Sequence, residues 1–300
     1  MSTPAATPAT RPFPALTPSQ RYHLDAFGYV ILPKFIDERR VAALREALLR
    51  LRRDLMATGD PINRPVRNAR MVECQPHHVA MISVIEADPA ISAYGTDPAI
   101  VAMAQEIVGS DVRITDMASH INSRDPAEDL NAPARYPSFH TGIDIAFGSH
   151  LKNGLYHCSF VKALTTLVDL GPDDGGTVVI PGSHKIDVPQ EDVIAAAYAD
   201  PSLIHQMIAP AGSLLLFFET VIHTAGQVRS GIERMNVIAG YGPVQYPYWG
   251  GADQPTNPTE DFMRSQPAEV QTLLRGRQHW NRGKRYRALQ DPIDPRVSRP

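Results

Sequence analysis

The sequence predicts a mainly β fold, a β-sandwich or jelly roll with supporting helices at its N-terminal end. Three observations predict it. After about residue 110 the chain is a series of short apolar runs: "DVRITDMASHI", "GLYHCSFVKALTTLVDL", "GTVVIPG", "GSLLLFFET" and "RMNVIAGYGPV". Clusters of Gly, Pro and Asp separate them, as turns separate strands. Helical periodicity, by contrast, is concentrated before residue 109, and helices gathered at one end of a strand-rich chain suggest helical support for a sheet core.

Taken in order, residues 1–16 are rich in Ala, Thr and Pro and read as a disordered tail. Structure is expected from Thr17, an N-cap followed by Pro18, through a short helix that ends at Gly28. "YVILP" then reads as a strand stopped by Pro33. From Asp37 to about Ala57, Val41, Leu44, Leu48, Leu51 and Leu55 recur at helical spacing. The arginines on the other faces of that helix read as a solvated surface. Residues 58–96 give no clear period, and a second helix is expected over 97–108, ended by Gly109. The strand region, 17–245 with its helices, forms one domain. Residues 246–300 form a C-terminal extension, Pro-rich, then helical over 259–275, then basic in "RGRQHWNRGKRYR", packed on or capping the same domain. That basic tail reads as solvated.

Composition excludes several classes of protein. The chain has 300 residues, of which 43% are hydrophobic, enough for one sizeable core. With 29 Lys+Arg against 32 Asp+Glu and a net charge of −3, neither sign dominates, which argues against a nucleic-acid polymer or a membrane surface as partner. No apolar run approaches the roughly 20 residues needed to cross a bilayer. The first residues lack the basic start and apolar stretch of a signal peptide. Two cysteines, Cys74 and Cys158, imply neither a disulfide scaffold nor a zinc motif. A cytoplasmic location is expected.

The stretch "SFHTGIDIAFGSH" carries His140 and, two places on, Gly142. Downstream, "FFETVIHTAGQVRSGIERMNVIAGYGP" carries His223 after an apolar run and Arg234 on the following strand. A lone histidine at a strand edge is most often structural. Two from different strands can supply two imidazole nitrogens to one face of an iron ion, and an arginine's planar fork suits a dicarboxylate co-substrate.

These segments, with "DAFGYVILPKFI" and above all "DDGGTVVIPGSHK" from Asp173 to Lys185, resemble the phytanoyl-CoA dioxygenase family of iron(II)/2-oxoglutarate oxygenases. The resemblance implies a double-stranded β-helix, a cupin-like form of jelly roll. It implies His140 and His223 as iron ligands, Arg234 as the 2-oxoglutarate-binding arginine and Ser230 as a supporting hydroxyl. It makes "PGSHK" a structural turn, so that His184 is not a ligand.

Gly142 departs from the family pattern, in which an aspartate at that place completes the ligand set. By resemblance to halogenases with a histidine-spacer-glycine motif, chloride would occupy the halide site at Gly142. Fe(II), 2-oxoglutarate, O2 and chloride would then chlorinate an unactivated C–H bond. Substrate positioning decides between chlorine and hydroxyl transfer. Alternatively, a bulge at Gly142 brings Asp144 round as the ligand and the protein is a hydroxylase, or the fold is retained as a non-catalytic ligand-binding protein.

The expected partner is a free small molecule. A nucleotide such as deoxyadenosine monophosphate is the leading guess by resemblance, and a carrier protein is not expected. Candidate pocket residues are Thr141, His157, and Arg124 and Arg135 in the polar segment before His140. Lys162 lies on the same stretch as His157, but strand alternation sends the two to opposite faces. The polar segment itself reads as a lid.

Overall fold

The computed structural model describes residues 15–134, 136, 138–246 and 258–276. The expected helix at the start is α1 (Pro18–Phe27), closed at its N-terminus by a Thr17–Gln20 capping box and at its C-terminus by Gly28 at φ 80°. The preceding segment is not wholly a tail. The amides of Ala15 and Leu16 both donate to the Glu106 carboxylate, and Leu16 is buried.

Strand β1 (Tyr29–Leu32) leads to α2 (Glu38–Ala57), which Asp37 caps and whose Val41, Leu44, Leu48, Leu51 and Leu55 are all buried. The segment with no clear period contains a hairpin, β2 (Arg70–Gln75) and β3 (His78–Ile82), and α3 (Pro89–Gly95). A register shift between Met71 and Glu73 breaks the alternation that would have marked the hairpin. Next come α4 (Pro98–Val108), ended by Gly109 as expected, and the long β4 (Val112–Asn122).

The short α5 (Ile145–Gly148) precedes β5 (Ser149–Lys152), β6 (Leu155–Cys158), β7 (Val161–Thr166) and β8 (Val178–Val179). After α6 (Gln190–Ala199) come β9 (His205–Gln206), β10 (Leu214–Phe218), β11 (His223–Thr224) and β12 (Arg234–Pro243). The expected C-terminal helix is two, α7 (Glu260–Ser265) and α8 (Ala268–Arg275), because Pro267 interrupts it. They pack on the same body: Leu274 is fully buried, and Arg113 of β4 donates to its carbonyl at 2.6 Å. The basic run after Gly276 lies outside the described residues.

The strands form a seven-stranded antiparallel sheet in the order β1-β10-β7-β12-β4-β3-β2, a three-stranded sheet β11-β8-β9, and the hairpin β5-β6. An isolated bridge between His140 and His223 extends the small sheet. The fold is therefore mainly β with helices, the double-stranded β-helix of a jelly roll. One hydrophobic core joins the large sheet to α1, α2, α3 and α4. Among the described residues no helix is long and apolar enough to cross a membrane.

Candidate active site

A cavity of about 340 Å³ is lined from both sheets. Strand alternation explains its wall. Asp116, Ala118 and His120 are every second residue of β4, and Arg234, Asn236 and Ile238 every second residue of β12. Lys162 and Leu164 come from β7, while Phe217 and Glu219 lie at the end of β10. His140, His223 and Thr224 enter from the small sheet.

His140 and His223 are held by reciprocal backbone hydrogen bonds, His140 N to His223 O at 3.0 Å and His223 N to His140 O at 2.9 Å, with ring centroids 4.4 Å apart. Each ring is also oriented by its own strand. His140 Nδ1 lies 2.7 Å from the Ser138 carbonyl, and His223 Nδ1 lies 2.8 Å from that of Val221. A carbonyl can only accept, so both Nδ1 atoms carry a proton, and Nε2 is the nitrogen that each ring turns to the cavity side. Burial, with His140 beside it, pushes His223 down to about 3, so that ring is neutral. Two imidazoles that each present Nε2 to the same cavity are a donor pair suited to iron.

Arg234 is 3% exposed, and its Nη2 donates to Thr177 Oγ1 at 3.1 Å. Burial lowers it to about 10, still charged at neutral pH. Among the described residues it forms no ion pair with a carboxylate. A buried guanidinium without an internal anion is costly unless an anion arrives from outside.

The space beside Gly142 is not open. A Cβ built there would overlap Glu219 Oε2 outright and lie 2.6 Å from its Cδ. The placement follows from the main chain: Gly142 N donates to Glu219 O at 2.8 Å and Glu219 N to Phe160 O at 2.9 Å. Glu219 thus sits where the chain leaves the large sheet for the small one. Burial raises its carboxyl to about 7, against the attraction of Lys162. The Lys162 ammonium is paired with Asp116 and lies 4.8 Å from the Phe160 ring centroid. Burial alone would lower that ammonium, but Asp116 and Glu219 outweigh it and raise it.

The other residues singled out in the sequence lie elsewhere. Asp144 is exposed and heads α5, its carbonyl accepting from Phe147 N and Gly148 N; no bulge turns it back into the cavity. His157 is not a pocket residue: its Nδ1 donates to Ile107 O at 2.9 Å and its ring stacks on His150. Lys162 does face the cavity, but not by alternation with His157: the two lie on separate strands, β6 of the hairpin and β7 of the large sheet.

Thr141 points to Gln190 of α6, with 3.3 Å between Oγ1 and Oε1. Ser230 Oγ accepts from Ile232 N in the turn before β12 and is not among the cavity-lining residues. Arg124 is exposed beyond β4, and Arg135 lies outside the described residues. The polar segment that reads as a lid is tied to α6 where Tyr136 and Tyr198 bond each other. His184 is fully buried against Tyr156 and Phe218 in the turn Ser183–Lys185, a structural place.

Sequence reasoning missed Asp116, His120 and Glu219. For the first two a signal was there, since "DMASH" alternates toward one face; Glu219, an acid after the run "LLLFF", carries no such pattern.

The chain belongs to the phytanoyl-CoA dioxygenase family, whose model matches residues 24–236. Among solved structures it is similar to HygX from Streptomyces hygroscopicus with nickel, 2-oxoglutarate and hygromycin B bound. Identity is 21% and the TM-score 0.63, over 82% of this chain and 94% of that one. It is also similar to the non-heme alpha ketoglutarate dependent carbocyclase SnoK from nogalamycin biosynthesis, at 18% identity and a TM-score of 0.57, over 84% and 92%. The corresponding epimerase SnoN is 19% identical with a TM-score of 0.53, over 79% and 89%. At these identities the likeness is one of fold. No curated protein matches the chain.

Proposed function

We propose that this protein is an iron(II)/2-oxoglutarate-dependent enzyme that oxidises an aliphatic C–H bond of a free small molecule. His140 and His223 hold the iron, and Arg234 holds the distal carboxylate of 2-oxoglutarate. The observation that carries this reading is the convergence of two Nε2-presenting imidazoles and one buried, acid-free guanidinium on one cavity. Iron with 2-oxoglutarate and O2 supplies the oxidising power to break an unactivated C–H bond.

The chain's own residues do the rest. The Ser138 and Val221 carbonyls fix the imidazole tautomers. Arg234, steadied by Thr177, orients the co-substrate through its planar fork. Ile82, Phe160, Leu164, Phe217 and Ile238 wall the cavity and exclude water.

The substrate reading is a free small molecule of natural-product type. Its support is the likeness to a hygromycin B-bound structure and to two nogalamycin-biosynthesis enzymes. The Asp116–Lys162 pair favours a substrate with hydrogen-bonding groups at that wall. A second reading is chlorination, favoured by one observation, the glycine at position 142 with no carboxylate of its own.

Anaerobic titration with iron(II) and 2-oxoglutarate tests the common reading. The absorption band of the 2-oxoglutarate chelate is expected in the wild type and is lost in His223→Ala; a wild type without the band sinks the proposal. Mass spectrometry of candidate small molecules, nucleotides among them, after turnover in chloride and then bromide separates the outcomes. Oxygen incorporation supports the first reading, and a halogen isotope pattern supports the second.

A further inference from the structure

Position 142 lacks a carboxylate, yet the volume that its side chain would fill is taken by one. The Glu219 carboxyl lies where a Cβ on Gly142 would be, and both residues line the same cavity as His140 and His223. We propose that Glu219 stands in for the carboxylate absent at position 142 and completes the iron site from a different strand. This inference rests on the proposed iron/2-oxoglutarate reading.

Three features support it. Glu219 is at the corner between β10 and β11, so its main chain is pinned on one side to Phe160 and on the other to Gly142, the residue two after His140. Its carboxyl is buried, and a buried carboxylate needs a cation. Lys162, the near ammonium, is already paired with Asp116, so the cation beside Glu219 is a shared one, and the Gly142 amide is the other group that favours its charged form. Glycine at 142 then has a steric cause: any larger residue would overlap the carboxyl.

As placed, the carboxyl lies against Gly142, and no three His, Cys, Asp or Glu side chains stand in metal-binding geometry among the described residues. Glu219 has rotatable side-chain bonds, and turning them with the backbone fixed is the movement that ligation requires. The consequence for the reaction is a two-histidine, one-carboxylate site, which leaves no place for a halide ligand at Gly142.

The test is a relocation of the carboxylate, read as iron(II) affinity and as the 2-oxoglutarate chelate band, without turnover. If the wild type shows no band, the functional reading fails and with it the basis of this inference. Given a wild-type band, Glu219→Ala is expected to weaken iron binding on the order of tenfold or more. The double variant Glu219→Ala/Gly142→Asp is expected to recover it, because the new aspartate enters the space that the glutamate has left. Gly142→Asp alone is expected to lower thermal stability, since both carboxyls claim one volume.

Chloride is expected to shift the band in Glu219→Ala and not in the wild type. Wild-type iron affinity in Glu219→Ala overturns the proposal. So does a double variant that keeps the wild-type melting temperature but not iron affinity, and so does an equal chloride response in wild type and Glu219→Ala.

Discussion

Arg234 is a cation folded into the interior with a threonine hydroxyl rather than a carboxylate as its bonded partner. Such a residue costs stability unless an anion reaches it, and on the proposed reading that anion is 2-oxoglutarate. Arg234→Met is therefore expected to leave the melting temperature unchanged or higher. It should raise the 2-oxoglutarate concentration needed for the chelate band by roughly thirtyfold, about 2 kcal/mol. Arg234→Lys keeps the charge but not the fork, and is expected to fall between. Isothermal titration against 2-oxoglutarate, with a thermal melt beside it, checks both. This residue was singled out in the sequence together with His140 and His223 through the resemblance of their segments to the family, since spacing by itself leaves such residues weak candidates. Glu219 was not, because its meaning depends on lying against Gly142. Only strand pairing reveals that.

At the level of elements, Gly28 couples three pieces of the fold. It ends α1 at φ 80°, and a Cβ there would overlap the Val221 side chain and lie 2.6 Å from His184 Nδ1. The end of α1, the turn of "PGSHK" and the corner before His223 thus pack on one another. Gly28→Ala is expected to cost about 2 kcal/mol or more from strain and overpacking. It should also weaken iron binding, since Val221 carries the carbonyl that orients His223. Urea midpoints and iron titration of the variant measure the two effects. A loss of stability with unaltered iron affinity would show that the corner does not transmit the strain.

The long elements, α2, α4, β4 and β12, were readable because periodicity and caps agree over many residues. The hairpin β2–β3 was not, because its bulge disrupts the period. The two-residue strands β8, β9 and β11 were too short to have a period at all.

For the whole molecule, buried histidines set the response to acid. Burial pushes His184 down to about 4, and His120 and His223 to about 3. A histidine held below its unfolded value of about 6.5 binds its proton less well folded than unfolded. Its share of stability is thus complete above pH 6.5 and is lost as pH falls toward the folded value, by about 1.4 kcal/mol per pH unit. Glu219, raised to about 7, acts oppositely and favours the folded state as pH falls through that value. Three histidines outweigh one carboxyl. The urea midpoint is expected to drop between pH 7 and pH 5, and a midpoint that is flat or rising over that interval would contradict the assignment of neutral buried rings.

The two imidazoles belong to segments far apart in the chain and meet only through reciprocal backbone bonds across the small sheet. They become neighbours only when that backbone bridge has formed. The apolar core beneath is built from hydrophobic side chains of the large sheet and the helices. On the proposed reading, iron would meet an already folded molecule, unlike the zinc of small domains that have no fold before metal binds. A nascent chain would offer that metal one histidine at a time, so on this reading loading belongs to the completed protein, and iron supply would limit activity without limiting folding.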